Sequence, residues 1–158
     1  LALATLNSEN IPIQFPYKII NSLDQFRLDD GLYANDPSFQ HGIATTTSAA
    51  LLINKDLTGN SIQIPESLLK CRANKGGFML SISARFPDLL STSALMFLMN
   101  YSMKIPAYNY DHDIDYVLKL QSPDGGFSGS EFDKTSDIEY SFYALLSIGA
   151  ICSMMRNK

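Results

Sequence analysis

Arg85 and Asp88 lie three residues apart, immediately before a strongly apolar segment of the sequence. If that segment begins a helix, its first backbone N–H groups and the positive end of its dipole favour an anion. A guanidinium group beside them would suit a diphosphate. Simpler roles stay open, because Asp88 could cap the helix and Arg85 could form a surface ion pair with Asp88 or Asp137.

Two other apolar segments also begin with small or polar side chains. Thr45 opens one, Ser91 belongs to the start of the segment after Asp88, and Asp137 precedes the last. Because these segments are apolar on nearly all sides, we expect them to be buried, with their polar first turns directed at a shared feature. Asp137 could cap its helix, and Tyr140 could line a cavity or fill the core.

Several kinds of chemistry lack the residues that they need. The histidines are His41 and His112, and neither stands in an arrangement that supports a catalytic triad, so we assign no catalytic residue. Cys71 and Cys152 have neither zinc nor redox spacing. The glycine pairs are not followed by Lys-Ser or Lys-Thr, which argues against a phosphate loop. We therefore predict no cofactor and no metal.

Composition narrows the class of partner. The 158 residues are 46% hydrophobic and carry 12 basic and 16 acidic side chains, for a net charge of −4. Lysine and arginine do not cluster, which argues against a nucleic-acid partner. The apolar runs are too short or too interrupted to predict a transmembrane segment. The free cysteines and the lack of a visible signal peptide predict a cytoplasmic protein.

A short phrase centred on glycine occurs three times, at residues 30–33, 75–78 and 124–127. Its first glycines, at positions 31, 76 and 125, are 45 and then 49 residues apart. A period of roughly 20–50 residues indicates a repeat architecture, in which units stack because none buries its apolar face alone. The repeats are predicted at approximately 12–57, 61–104 and 108–154, within a single domain spanning 1–158.

The segments around each glycine phrase predict helices of two kinds. Amphipathic segments precede the phrases at 16–28, 65–72 and 113–120, and apolar segments follow them at 43–54, 89–103 and 138–154. The first kind predicts outer helices with one face in water, and the second predicts inner helices buried on all sides. Asp113 is predicted to cap the third outer helix. The expected fold is all-α, with about three helical hairpins, and residues 1–8 read as the end of a preceding repeat.

The sequence Gln-Ser-Pro-Asp-Gly-Gly-Phe at 121–127, followed by Tyr-Ala-Leu-Leu at 143–146, resembles the repeat of the prenyltransferase and squalene-cyclase family. The resemblance covers nearly the whole chain, from 16 to 154. It implies an α/α toroid, in which inner helices surround a central cavity. Three hairpins are about half of the ring that this family builds. The resemblance therefore implies a partial ring, completed by missing repeats or by a second copy in a homodimer.

The cyclase branch of the family uses an acidic cluster of the Asp-x-Asp-Asp type as its proton source. Asp111, Asp113 and Asp115 form an acidic group with a different spacing, which a solvated helix cap explains better. The chain also has no tryptophan, which cyclase repeats tend to carry after the glycines. Both departures argue against cyclase chemistry.

The protein prenyltransferase β subunits match at more positions. One repeat of these enzymes reads His-Gly-Gly-Tyr-Thr, and its histidine helps to bind a diphosphate. The corresponding segment of this chain is His-Gly-Ile-Ala-Thr, which begins at His41. Their basic residue three before a zinc-binding aspartate corresponds to Arg85 and Asp88. Leu90 stands at the cysteine ligand's place and Tyr140 at the histidine ligand's place. Because zinc needs three or four close ligands, the resemblance argues against zinc-dependent protein prenylation.

The resulting hypothesis is a prenyltransferase- or terpene-cyclase-like domain that binds an isoprenoid or other apolar ligand in a central cavity. The resemblance places His41, Arg85 and Asp88 at a diphosphate head group. The residues expected to line the cavity are Thr45, Ser91, Asp137 and Tyr140. The alternative is a non-enzymatic helical-repeat scaffold or protein-interaction domain whose site has degenerated.

Overall fold

Six α-helices carry the fold of the described residues. The computed structural model describes residues 12–102 and 109–156, so the predictions for residues 1–8 and for the boundary near 104–108 lie outside it. The helices are α1 Pro16–Asp24, α2 Ala44–Thr58, α3 Glu66–Leu69, α4 Leu89–Ser102, α5 Asp111–Lys119 and α6 Ile138–Arg156. The predicted all-α fold of successive helical hairpins is confirmed, with α1, α3 and α5 before the glycine turns and α2, α4 and α6 after them.

Two short antiparallel ladders follow the second and third glycine turns. Strand β1 (Phe78–Met79) pairs with β2 (Pro87–Asp88), with Phe78 opposite Asp88. Strand β3 (Phe127–Ser128) pairs with β4 (Ser136–Asp137), with Phe127 opposite Asp137. Each two-residue ladder holds the turn against the start of the helix that follows, so β2 leads directly into α4 and β4 into α6.

The inner helices form a row in which α4 packs between α2 and α6. Eight of the fourteen residues of α4 are buried, as the sequence predicts for an inner helix. Only four of the fifteen residues of α2 and five of the nineteen of α6 are buried, so full burial was the wrong prediction for these two. They stand at the ends of the row, where one side has no neighbouring inner helix among the described residues.

The outer helices α1 and α3 are shorter than predicted, and α5 begins before its predicted start. Helix α3 has four residues, because the chain leaves the helix at Lys70. Arg72, two residues later, forms a β-bridge with Phe78 across the glycine turn. Helix α5 begins at Asp111 and its N-cap residue is Tyr110, which gives no side-chain cap. The prediction that Asp113 caps this helix is wrong. Its carboxylate is fully buried and is bonded to the preceding hairpin instead.

Candidate functional site

The starts of α4 and α6 are each capped by an aspartate. Asp88 accepts hydrogen bonds from the backbone N–H of Ser91 to Oδ1 and from the Ser91 hydroxyl to Oδ2, both at 2.7 Å. Asp137 accepts one from the backbone N–H of Tyr140, also at 2.7 Å. Both carboxylates therefore satisfy N–H groups that a helix start leaves without an intrahelical partner. Their negative charge makes these two helix starts poor sites for an anion.

The start of α2 differs from the other two. Its N-cap residue is Ile43, which provides no side-chain cap, and Thr45 lies half-buried in its first turn. The backbone N–H of Ala44 donates to the carbonyl oxygen of Leu80 at 2.8 Å, which ties this helix start to the second hairpin. None of the carboxylates in residues 12–102 and 109–156 caps α2, so the positive end of its dipole favours a negatively charged group.

His41 lies in a crevice of about 420 Å³ in front of α2. The exposed imidazole shares this crevice with the side chains of Phe39, Leu80 and Ser81. Phe39 is 53% exposed and Leu80 is 43% exposed, so the crevice presents apolar surface beside a polar ring. Among residues 12–102 and 109–156, no hydrogen bond or ion pair engages the imidazole of His41.

Arg85 is exposed on the loop between β1 and β2 and does not line the His41 crevice. The ion pairs within the described ranges join Lys70 to Glu66 and Arg72 to Asp113, so the alternatives that pair Arg85 with Asp88 or Asp137 are not realised there. The structure thus brings Asp88 together with Ser91, and leaves Arg85 separate from His41.

Tyr140 follows the second of the two capping aspartates. Its ring covers Gly129 so closely that a side chain at that glycine would overlap it. The same ring packs against the buried cluster that includes Tyr116, Val117 and Phe127. Tyr140 therefore contributes to the core of the third hairpin.

An aromatic crevice of about 280 Å³, which was not predicted from the sequence, lies between the second and third hairpins. Phe86 and Phe132 form one wall, with ring centroids 4.4 Å apart, and Tyr116 lies beside them. Burial raises the pKa of the Tyr116 hydroxyl well above its ordinary value, and this hydroxyl donates to the carbonyl oxygen of Pro87 at 2.9 Å. The phenol is therefore a fixed neutral donor within the protein.

Each glycine turn is held to the following inner helix by a hydroxyl group. The aromatic residue of the turn donates its backbone N–H to a threonine or serine fourteen residues later. The three pairs are Tyr33 with Thr47, Phe78 with Thr92 and Phe127 with Ser141, at 2.9, 2.9 and 3.1 Å. The sequence contains this signal as a hydroxyl residue at the same distance after each phrase, so these three contacts could have been predicted from the sequence.

Replacing Thr92 by valine, which has a similar shape but no hydroxyl, is expected to lower the free energy of unfolding by about 1–3 kcal/mol. The reason is that the buried N–H of Phe78 would lose its acceptor. Chemical denaturation followed by circular dichroism measures the change. Ser141→Ala is the matched control in the third hairpin, where the half-buried hydroxyl should matter less. No loss at Thr92, or a loss at Ser141 larger than that at Thr92, would contradict the assigned role.

An ion pair between the partly exposed Arg72 and the fully buried Asp113 joins the second hairpin to the third. Arg72 Nη2 lies 2.8 Å from Asp113 Oδ2, and its Nε lies 3.3 Å from Oδ1. The same Oδ1 accepts the backbone N–H of Gly77 at 2.9 Å. Burial, reinforced by the nearby Asp113 charge, raises the pKa of Tyr110 to about 12. The two oxygens of Asp113 thus accept three hydrogen bonds from the second hairpin, which indicates a structural role for this carboxylate.

The second glycine turn has no carboxylate of its own to accept a backbone N–H, and Asp113 of the next hairpin provides one. In the first turn Asp30 accepts the N–H of Leu32, and in the third Asp124 accepts that of Gly126, each at 3.0 Å. Lys75 occupies the corresponding place in the second turn. Asp113 of the next hairpin replaces that acceptor, which is a contact that no local pattern predicts.

Across residues 12–102 and 109–156, no group of three or more His, Cys, Asp and Glu side chains is placed to hold a metal ion. Both cysteines are free, with Cys71 buried and Cys152 partly buried.

Comparison with known proteins gives a family match. The family model described as the prenyltransferase alpha-alpha toroid domain matches residues 1–130 and 45–157. The chain has no significant match among curated proteins. The two matched ranges start 44 residues apart, close to the spacing of the glycine phrases, as expected when a repeated unit aligns in two registers.

Proposed function

The chain belongs to the prenyltransferase alpha-alpha toroid family, and on that premise we propose that it binds an isoprenoid diphosphate as a prenyltransferase- or terpene-cyclase-like domain. The observation that carries this proposal is the His41 crevice in front of α2. It combines an unengaged imidazole with apolar surface from Phe39 and Leu80. An amphiphilic ligand with an anionic head and a hydrocarbon tail requires both kinds of surface.

The electrostatics of the three inner helices favour the same place. Asp88 and Asp137 put negative charge at the starts of α4 and α6, whereas α2 has no side-chain cap. A diphosphate would therefore meet the least repulsion at α2, where the helix dipole and the His41 ring act together. In this proposal Thr45, in the first turn of α2, supports the head group, and Arg85 does not belong to the first contacts.

The binding proposal is tested by calorimetric titration of the chain with farnesyl diphosphate and geranylgeranyl diphosphate. We expect micromolar binding that His41→Ala weakens about tenfold or more, since a hydrogen bond to a charged group is worth about 1.5–3 kcal/mol. His112→Ala is the matched control, because this exposed histidine lies outside the crevice. Arg85→Ala should leave the affinity nearly unchanged.

Two probes separate the parts of the ligand. Inorganic diphosphate tests the head group alone, and farnesol tests the tail alone. Binding of neither diphosphate ester, with no thermal stabilisation by either, would contradict the proposal. Binding that survives His41→Ala would move the site away from the α2 crevice.

A scaffold or protein-interaction domain is the second candidate function. The observation that favours it is an exposed apolar line along α6, where Ile138 is 91% exposed and Leu145 is 65% exposed. Exposed apolar surface of this kind is typical of interaction sites. Zinc-dependent protein prenylation is not proposed, because Leu90 and Tyr140 occupy two of the three expected ligand positions.

A further inference from the structure

A pocket lined by two cationic side chains lies between the first and second hairpins. It has a volume of about 220 Å³ and shares no lining residue with the His41 crevice. Its walls come from both ends of the first glycine turn, from the second half of α2 and from the segment 60–63 that leads to α3. We call it the Arg27 pocket, and its polar lining includes Arg27, Tyr33, Lys55 and Asn60.

Arg27 occupies the same place in the first hairpin as Arg72 does in the second. Each arginine forms an isolated β-bridge with the aromatic residue six positions later, Arg27 with Tyr33 and Arg72 with Phe78. The two arginines are 45 residues apart, which is the spacing of their glycine turns. The junction between the second and third hairpins therefore shows what an arginine at this position binds.

At that junction Arg72 is engaged by the hairpin that follows. Its guanidinium group donates to both carboxylate oxygens of Asp113 and to the carbonyl oxygen of Asn109. Tyr110, beside this ion pair, is 1% exposed and belongs to the apolar core. A buried carboxylate and a buried aromatic ring thus close the second junction.

The junction between the first and second hairpins lacks both of these side chains. Counted back from the first glycine of the following turn, Ser61 stands 15 residues away, as Tyr110 does, and Ile64 stands 12 residues away, as Asp113 does. A serine in place of a tyrosine ring leaves space, and Ser61 lines the pocket. Ile64 packs against the apolar core and offers no side-chain acceptor to Arg27.

The guanidinium group of Arg27 has no acceptor among the described residues. Neither of the ion pairs in that part of the chain includes it, and its bond with Asp24 joins backbone atoms only. Lys55 brings a second cation, which is held by a bond from Nζ to the carbonyl oxygen of Tyr101 at 2.8 Å. None of the described residues that line the pocket is acidic. The pocket therefore collects positive charge without a carboxylate to balance it.

Neutral donor groups accompany the two cations. Burial raises the pKa of the Tyr33 hydroxyl, and the Arg27 charge offsets this rise only in part, so the phenol keeps its proton at neutral pH. Asn60 adds an exposed side-chain amide. A guanidinium fork, an ammonium group and neutral donors around one space suit a group with several anionic oxygens.

We propose that the Arg27 pocket binds the phosphate group of a small phosphorylated molecule. Arg27 would hold this group as Arg72 holds the carboxylate of Asp113, since a guanidinium fork fits both kinds of anion. A phosphate monoester carries roughly 1.5 to 2 negative charges at neutral pH, which matches the two cations of the pocket. The inference goes beyond the isoprenoid ligand of the His41 crevice and does not depend on it.

An NMR titration of the whole chain with inorganic phosphate tests the proposal. Amide signals of residues 60–63 report binding at the pocket itself. We expect millimolar or tighter affinity, and Arg27→Ala should weaken it about tenfold or more because a charge-assisted bidentate contact is lost. Arg85→Ala is the matched control, since this exposed arginine lies outside the pocket, and it should leave the affinity unchanged.

Two further variants change charge with little change of shape. Asn60→Asp places a carboxylate in the pocket and should weaken phosphate binding about fivefold or more, because the new charge repels the anion and competes for Arg27. Lys55→Met keeps the length of the side chain without its charge and should weaken binding about threefold or more. These variants keep the test decisive if Arg27→Ala proves unfolded by circular dichroism.

The same titration in the His41→Ala chain separates the two proposed sites. Phosphate binding that persists there and is lost with Arg27→Ala supports the Arg27 pocket, whether or not isoprenoid diphosphates bind in front of α2. Acetate, which carries one negative charge, should bind about tenfold or more weakly than phosphate.

Several results would overturn the proposal. Amide signals at 60–63 that do not respond to phosphate, or equal losses of affinity in Arg27→Ala and Arg85→Ala, would each do so. Affinity that is indifferent to both Asn60→Asp and Lys55→Met would place the anion elsewhere. Acetate binding as tight as that of phosphate would show that the pocket does not select a phosphate group.

Discussion

Asp113→Ala is expected to lower the free energy of unfolding by about 3 kcal/mol, a large fraction of the roughly 5–15 kcal/mol that is typical of folded domains. The substitution removes the buried partner of Arg72 and the acceptor of the Gly77 N–H in one step. Arg72 keeps a bond from Nη2 to the Asn109 carbonyl and its side chain is 25% exposed, which holds the cost below that of a fully buried unpaired charge. Urea denaturation followed by circular dichroism measures the loss.

Two further variants identify the source of that loss. Asp115→Ala, on the exposed side of the same helix, should change stability by no more than about 0.5 kcal/mol. Asp113→Asn keeps an oxygen for the Gly77 N–H but removes the charge, so it should fall between the other two. A loss at Asp113 no larger than that at Asp115 would mean that the third hairpin docks without this ion pair.

Gly76→Ala is expected to cost about 2–5 kcal/mol of stability, by two separate effects. The backbone φ at Gly76 is +94°, a left-handed conformation that costs an L-residue about 1–2 kcal/mol. A Cβ there would also overlap the carbonyl oxygen of His112 at the start of α5, and relieving such an overlap adds about 1–3 kcal/mol. The same denaturation measurement reports the total.

Gly125→Ala separates the two effects. Gly125 has nearly the same φ, +91°, but no described atom lies within 4 Å of its Cβ position. This variant should therefore show only the conformational cost of about 1–2 kcal/mol. If both alanine variants lose the same stability, α5 does not pack on the second turn as closely as the structure shows.

The repeat and the helical hairpins could be predicted from the sequence because both are periodic. Glycine phrases at fixed spacing mark the turns, and the apolar segments after them mark the inner helices. The hydroxyl clamps at Thr47, Thr92 and Ser141 have the same periodicity. Each of these features depends on residues within one repeat. It therefore appears in the sequence once for each of the three repeats.

The candidate site could be predicted only in part. Asp88 and Asp137 lie at helix starts, where their capping role was one of the alternatives that the sequence offered. The separation of Arg85 from the His41 crevice could not be predicted, because their loops belong to neighbouring hairpins. The side chains that meet across such a boundary depend on how the hairpins dock.

Asp113 shows most clearly what the tertiary structure decided. By sequence it is one of three acidic residues at the start of an amphipathic helix, a pattern typical of a solvated cap. In the structure it lies under the preceding glycine turn, because Lys75 left that turn without its own acceptor. The sequence by itself determined the repeating unit through local spacing and burial patterns. The docking of one unit on the next decided which charges are paired and buried, since burial depends on neighbours that periodicity does not specify.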